Sequence, residues 1–223
     1  MPDLVNQPDP VLQGDELPTF RFALEKSEGR TLGGSYGKEA TVKQLPISKG
    51  IAGVSLRLEP GVMRELHWHA TAAEWAFVIE GRVRTTVIDP HGHSETNEFE
   101  PGDVWYFPRG HGHALECLGD EPCHFVLIFD NGYFSEFGTF SITDWIGHAP
   151  KGLLAKNFGL PESTFDGFPK DEVYAAASPV HPSEVRRSSP STGASLSYRF
   201  FSLIGFLLSL RSIHPATRCC TRL

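Results

Sequence analysis

Short apolar segments recur about every ten residues through most of this 223-residue chain, and turn-forming residues separate them. Such segments suit β-strands, which are typically five or six residues long and are bounded by glycine and proline. The 22 Gly and 17 Pro residues supply the turns. We interpret IAGVSLRL (51–58) and VWYFP (104–108) as strands, and HFVLIFD (124–130) as a central strand because it is almost wholly apolar. The pattern predicts an all-β sandwich or barrel.

Other segments complete this prediction. TVKQLPI (41–47) is interpreted as a further strand, after a glycine-rich lead-in at 32–40. EWAFVIEG (74–81) and RVRTTVID (82–89) are expected to form a hairpin about Gly81. After residue 130 the pattern changes to two short helices, with Pro150 between them, and a possible further helical turn in 161–177.

The residues with the clearest chemistry lie in GVMRELHWHATAAEWAFVIEG, which begins at residue 61. His67 and His69 are two apart on a strand, so their side chains project to one face. Glu74 follows a turn-like ATAA and can return a carboxylate to the same point from the next strand. The block GDVWYFPRGHGH, which ends at His113, can bring a third imidazole. Three neutral nitrogens and one carboxylate oxygen suit a divalent first-row metal and leave two octahedral positions open.

Charge and composition restrict the remaining possibilities. The formal net charge of −7 and the lack of a basic stripe argue against nucleic-acid binding. The four cysteines do not resemble a disulfide framework. The first ten residues, MPDLVNQPDP, have neither basic residues nor an apolar core segment, so we expect no secretory signal and a cytoplasmic location.

The composition divides the chain into three parts. Residues 1–20 are rich in Pro, Asp and Gln and are interpreted as an extended arm, either disordered or laid along a neighbouring subunit. Residues 21–177 form the predicted domain. Residues 178–223 contain six Arg and one acid, a net of +5, whereas the preceding 14 basic and 26 acidic residues give −12.

This last part has three open interpretations: a readthrough or frame-altered terminus, a membrane-associating tail, or a docking helix. Its apolar run, residues 200–210, is shorter than the roughly 17–25 residues that span a bilayer. We expect residues after about 178 to make few contacts with the domain.

In these residues the chain resembles the cupins. The glycine-framed His67-x-His69-x4-Glu74 block matches the first cupin motif, and the block ending Pro108-x-Gly110-x2-His113 matches the second. The second motif assigns His113, and His111 is a much weaker candidate. Within the cupins, residues 20–177 are similar to the N-terminal half of oxalate decarboxylase, a two-barrel manganese enzyme. No second barrel is recognised in this chain.

The resemblance implies a double-stranded β-helix barrel that holds one Mn(II) through the four residues named above, with dioxygen as co-catalyst. It also implies the conversion of oxalate to formate and CO2. Oxalate oxidase, which yields CO2 and hydrogen peroxide, and a catalytically silent metal-binding cupin are the alternatives. In the resembling enzymes two barrels pack together, so we expect an exposed apolar surface here and a homo-oligomer.

Two further residues are assigned to the reaction. A guanidinium beside the metal can hold a small dianion, so Arg64 is the predicted substrate-binding residue. Strict alternation would send Arg64 to the face opposite His67, and the assignment therefore requires a bulge near Glu65 and Leu66. Glu136 aligns with the mobile lid of the resembling enzymes and is the predicted proton carrier. The lid segment, residues 135–139, reads SEFGT where the familiar bacterial lid reads Ser-Glu-Asn-Ser-Thr.

Overall fold

Two antiparallel sheets make up the barrel in the computed structural model, which describes residues 19–177. The predictions for residues 1–18 and 178–223 lie outside the described residues. The strands are β1 Arg30–Leu32, β2 Ser35–Ala40, β3 Ala52–Leu58, β4 Val62–Trp68, β5 Glu74–Glu80, β6 Arg82–Ile88, β7 Ser94–Phe99, β8 Val104–Phe107, β9 Gly112–Leu118, β10 Cys123–Phe129, β11 Phe140–Ser141 and β12 Ala175–Ala177. The helices are α1 Ile142–His148 and α2 Lys151–Phe158, and 3-10 turns lie at Leu24–Lys26, Glu136–Gly138 and Glu162–Gly167.

The first sheet has the order β1-β2-β3-β10-β5-β8, and the second has the order β11-β4-β9-β6-β7, with β12 also paired to β4. The apolar strand at 124–130 corresponds to β10, which lies between β3 and β5 as predicted. The all-β architecture with short C-terminal helices is confirmed.

One hydrophobic core joins the inner faces of the two sheets. Leu56 and Phe125 contribute from the first sheet, and Val83 and Leu115 contribute from the second. All four are completely buried. Burying a large aliphatic or aromatic side chain stabilises the fold by about 1.5–3 kcal/mol, so the burial of these inward-facing side chains is a main source of stability.

The hairpin predicted about Gly81 is wrong. β5 pairs with β10 and β8 in the first sheet, whereas β6 pairs with β7 and β9 in the second. Gly81 has a φ of 73° and no room for a side chain, because a Cβ would lie 2.3 Å from the Pro122 carbonyl oxygen. The glycine therefore marks a corner where the chain changes sheets. A tight hairpin and a corner both favour a glycine with positive φ, so local sequence does not separate them.

The strand predicted at 41–47 is also wrong. The Thr41 carbonyl accepts backbone bonds from Gln44 and Leu45, and the Gln44 side chain bonds the backbone and hydroxyl of Thr41. These local bonds replace a strand ladder. Conversely, the polar segments of β2 and β7 are strands that the apolar pattern did not reveal, and β12 was also missed.

The predicted helices are confirmed. The Ser141 hydroxyl caps α1 by accepting a hydrogen bond from the Asp144 backbone N–H at 3.2 Å. Pro150 stands before α2, which ends at Gly159 in the left-handed conformation. Within residues 19–177, none of the helices is long and apolar enough to cross a membrane.

Candidate metal centre and active site

A bulge in β4 sets which side chains enter the barrel. Arg64 lies opposite Leu115 of β9, and His67 lies opposite His113, so β4 carries one residue more than β9 between these pairs. Arg64, Glu65 and His67 are all buried as a result, while Leu66 is exposed. The bulge that strict strand alternation made necessary is confirmed, and the side chains of Arg64 and His67 both face the barrel interior.

Three histidines converge inside the barrel. His67 belongs to β4, His69 follows that strand directly, and His113 belongs to β9. Each offers a ring nitrogen, and these nitrogens lie within 4.8 Å of one another. The Gly110 N–H donates to the His69 carbonyl at 2.8 Å, which joins the second glycine-framed block to the first.

Backbone carbonyls orient two of these rings. Nδ1 of His67 lies 2.6 Å from the Glu65 carbonyl, and Nδ1 of His113 lies 3.0 Å from the His111 carbonyl. Because a carbonyl only accepts, each Nδ1 carries a proton, and in the neutral form of the ring Nε2 keeps its lone pair. Burial, together with the nearby Arg64 charge, lowers the pKa of His67 well below its ordinary value. The ring is therefore neutral, as a metal ligand must be. His111 contributes only its carbonyl.

Glu74, the first residue of β5, brings a carboxylate from the other sheet. Its Oε2 lies 3.5 Å from His113 Nε2 and 3.6 Å from His69 Nδ1, and its Oε1 accepts a hydrogen bond from Trp105 Nε1 at 2.7 Å. Burial raises the pKa of Glu74, but the interactions with His113, His69 and Trp105 outweigh burial and lower it. Glu74 is thus a carboxylate at neutral pH.

The donor set fits a divalent metal. Within residues 19–177, four buried polar atoms in the centre have no hydrogen-bond partner: His69 Nε2, Glu74 Oε2, His113 Nε2 and Glu136 Oε2. A buried polar atom without a partner costs about 1–3 kcal/mol, so this concentration indicates a site built for a ligand. Neutral imidazoles with a carboxylate are the donors that first-row divalent ions accept.

Arg64 and Glu136 form a buried ion pair beside the histidines. Arg64 Nε donates to Glu136 Oε1 at 2.8 Å, and the other oxygen of Glu136 lies 3.4 Å from His69 Nε2. Burial raises the pKa of Glu136, but the charge of Arg64 and the interaction with His69 outweigh it and lower this pKa to about 2. The pair is fully ionised, and Glu136 stands between the guanidinium and the histidine cluster.

Two residues that hold Arg64 were missed by the sequence analysis. Thr139 Oγ1 accepts from Nη2 at 2.9 Å, and the Tyr174 carbonyl accepts from Nη1 at 3.1 Å. The Tyr174 ring also lies under the guanidinium, 4.1 Å from ring centroid to Cζ. Thr139 lies in the lid segment and could have been considered. Tyr174 lies in a stretch without periodicity, and no sequence signal indicated it.

A cavity of about 260 Å³ reaches His67 and His113 from the direction of Trp68 and Ile88. Arg64 and Glu136 do not line it, and both are almost completely buried. A molecule can therefore reach the ion pair only when part of the surrounding wall moves.

The fold and the centre together define the class of protein. The family model described as Cupin matches residues 23–165, and the chain belongs to the cupin family. The sequence resemblance to the cupins is thereby confirmed.

Within that family the chain is similar to oxalate decarboxylases. The chain is 40% identical to oxalate decarboxylase OxdC of Bacillus subtilis over 173 residues, which cover 78% of this chain and 44% of that protein. It is 39% identical to a probable oxalate decarboxylase of Arthroderma benhamiae, covering 70% of this chain and 39% of that protein. The chain thus spans less than half the length of these relatives.

Solved structures of oxalate decarboxylase also resemble this chain. A structure of the Bacillus subtilis enzyme, described as having Mn(II) centres, superposes with a TM-score of 0.71 at 37% identity. The match covers 79% of this chain and 47% of that chain. The predicted kinship with the oxalate decarboxylases is confirmed.

Proposed function

We propose that this chain uses a metal, Mn(II), to convert oxalate to formate and CO2, with dioxygen as co-catalyst. The buried arrangement of Arg64, Glu136 and the histidine cluster is the observation that carries the proposal. His67, His69, His113 and Glu74 are the proposed metal ligands. The manganese assignment draws on the Mn(II) centres of the Bacillus subtilis enzyme, since the donor set alone would also accept iron or zinc.

Arg64 is proposed to bind the substrate. A guanidinium carries five N–H donors, and within the described residues three protein acceptors each take one of them. The donors that remain can bind the carboxylate oxygens of oxalate. Burial makes such charged hydrogen bonds stronger than they would be in water, so Arg64 both orients the substrate anion and stabilises charge that develops on it.

Glu136 is proposed to carry the proton. Decarboxylation of the hydrogen oxalate monoanion gives formate and CO2, with one proton moving from a carboxyl oxygen to the remaining carbon. The overall reaction is redox-neutral, and a carboxylate can accept this proton and later donate it to carbon. The bound metal would supply the electron exchange with the substrate that weakens its carbon–carbon bond.

The Arg64–Glu136 pair connects these two roles. In the substrate-free arrangement Arg64 holds the pKa of Glu136 near 2, which makes Glu136 a weak base. An oxalate carboxylate bound to Arg64 competes with Glu136 for the same positive charge. The pKa of Glu136 then rises, and the residue becomes basic enough to accept a proton only when substrate is present.

The test is a product balance. Protein loaded with Mn(II) is incubated with oxalate in air, and formate, CO2 and hydrogen peroxide are measured per oxalate consumed. One formate per oxalate supports the decarboxylase. Peroxide without formate would favour the oxidase, and the absence of turnover with metal bound would favour a silent metal-binding cupin.

Glu136→Gln provides the residue-specific test. This variant keeps the shape of the side chain but cannot accept and return a proton, so formate production should fall by about 10²–10⁴-fold. Metal content measured by elemental analysis should be unchanged. Formate output equal to that of the wild type would remove Glu136 from the reaction.

A further inference from the structure

We propose that Glu39 of β2 is a positioning residue that holds Glu136 against the metal centre. The proposal rests on the proposed function, because it assigns Glu39 a part in the reaction that Glu136 performs. Glu39 Oε2 accepts a hydrogen bond from the Ser135 hydroxyl at 2.8 Å and another from the Glu136 backbone N–H at 3.1 Å. Glu39 is separated from both by more than ninety residues of sequence.

These bonds fix Glu136 at two ends. Glu39 binds its backbone N–H, and Arg64 binds its carboxylate. The Ser135 hydroxyl donates to Glu39 and also accepts from the Phe137 N–H at 3.3 Å, which starts the 3-10 turn Glu136–Gly138. The position of the proton carrier thus depends on an anchor in the first sheet.

The cost of burying Glu39 supports this role. β2 turns Ser35, Gly37 and Glu39 toward the interior, where an apolar side chain would be more stable than a carboxylate. The pKa of Glu39 is raised, chiefly by burial and also by the charge of Glu136. The hydrogen bonds from Ser135 and the Glu136 N–H, together with the charge of Lys43, offset only part of this rise. The two carboxylates have separate donors: the lid segment donates to Glu39, and Arg64 donates to Glu136. Within the described part of the chain, the hydrogen bonds to the Glu39 side chain all come from the lid segment.

Loss of the anchor has a specific consequence. Without the acceptor, Ser135 and the Glu136 N–H lose their partner, and the turn can leave the barrel wall. The Glu136 carboxylate then leaves its position 3.4 Å from His69 Nε2. Displacement of a catalytic group by about 1 Å can cost about 10²-fold in rate. Proton transfer should suffer, whereas the metal, which the other strands hold, should remain bound.

The experiment compares four variants in the Mn(II)-loaded full chain. Glu39→Gln keeps the side-chain shape but replaces the charged acceptor of both bonds with a weaker, neutral amide oxygen. Ser135→Ala removes the hydroxyl, while Ser135→Thr retains a hydroxyl. Lys38→Gln is the control, because Lys38 lies on the same strand and faces outward. Formate production, metal content and hydrogen–deuterium exchange of a peptide covering residues 133–141 are measured.

We expect kcat for formate to fall about 10- to 100-fold in Glu39→Gln and Ser135→Ala, with KM within about threefold and metal content unchanged. Exchange in 133–141 should become faster in both. Ser135→Thr and Lys38→Gln should behave as the wild type does. If Glu39→Gln does not fold, Ser135→Ala decides the question alone.

If hydrogen–deuterium exchange of residues 133–141 proceeds at the wild-type rate in folded Glu39→Gln and Ser135→Ala, Glu39 does not anchor Glu136. Faster exchange with wild-type formate production would overturn the positioning role. If the wild-type protein itself makes no formate, the proposed function fails, and the exchange result still decides whether Glu39 holds Glu136.

Discussion

At the scale of the residue, the candidate site depends on how a few buried charges are paired. Arg64 is completely enclosed, yet its three nitrogens donate to Glu136, Tyr174 and Thr139 in three different directions. A planar guanidinium can make these contacts together, and it stacks on the Tyr174 ring as well. A lysine ammonium is a point charge on a flexible stem and cannot reproduce this geometry.

Arg64→Lys should therefore impair turnover while preserving the fold. Charged hydrogen bonds contribute about 1.5–3 kcal/mol each, so the loss of one or two should lower kcat/KM for oxalate about 10- to 100-fold. Steady-state formate kinetics measure the effect, with circular dichroism as the control for folding. Wild-type kinetics in this variant would show that Arg64 does not bind the substrate.

At the scale of the element, the site is shared by strands that belong to different sheets. His67 and His113 come from β4 and β9 of the second sheet, whereas Glu74 begins β5 of the first. A metal held by all of them would join the two sheets at one end. Metal binding should then contribute to stability, because a ligand that binds only the folded state shifts the unfolding equilibrium.

Removal of the metal by a chelator should lower the melting temperature. At a hundredfold excess of metal over its dissociation constant the stabilisation is about 2.7 kcal/mol, which corresponds to roughly 5–10 °C for a domain of this size. His67→Ala should abolish the response to chelator, and His111→Ala should retain it. A response of equal size in both variants would place the metal elsewhere.

At the scale of the whole molecule, the outer face of the first sheet is apolar along β5 and β8. Trp75 and Phe77 of β5 lie opposite Tyr106 and Val104 of β8, and all four side chains are exposed. Trp75 points away from the buried Glu74, because successive side chains of a strand project to opposite faces. Contiguous apolar patches of this kind mark interfaces on soluble proteins. The expected homo-oligomer stays a prediction, and this face is its proposed interface.

Phe77→Glu should reduce self-association in sedimentation velocity experiments. Each copy would then bring a charge into a surface that must lose water when two copies meet. Leu153→Glu is the matched control, because Leu153 is also exposed and lies on α2 rather than on the sheet. Equal effects of the two substitutions, or a wild-type protein that is monomeric at all concentrations, would contradict this interface.

The sequence by itself determined the features that depend on local periodicity. The almost wholly apolar run at 124–130 predicted the central strand β10, the spacing of His67, His69 and Glu74 predicted a metal site, and Pro150 marked the division between α1 and α2. These features follow from side-chain direction and backbone preference over a few residues, which the order of amino acids fixes directly.

Only the tertiary structure decided which strands share a sheet and what surrounds the charges. The chain passes from one sheet to the other at Gly81, where the Pro122 backbone lies too close for any side chain. Arg64 faces inward because β4 is bulged where it pairs with β9. The contacts of Glu39 with Ser135 and of Arg64 with Tyr174 join positions roughly a hundred residues apart. Such contacts depend on how separate strands and loops pack against one another, and no local pattern records that packing.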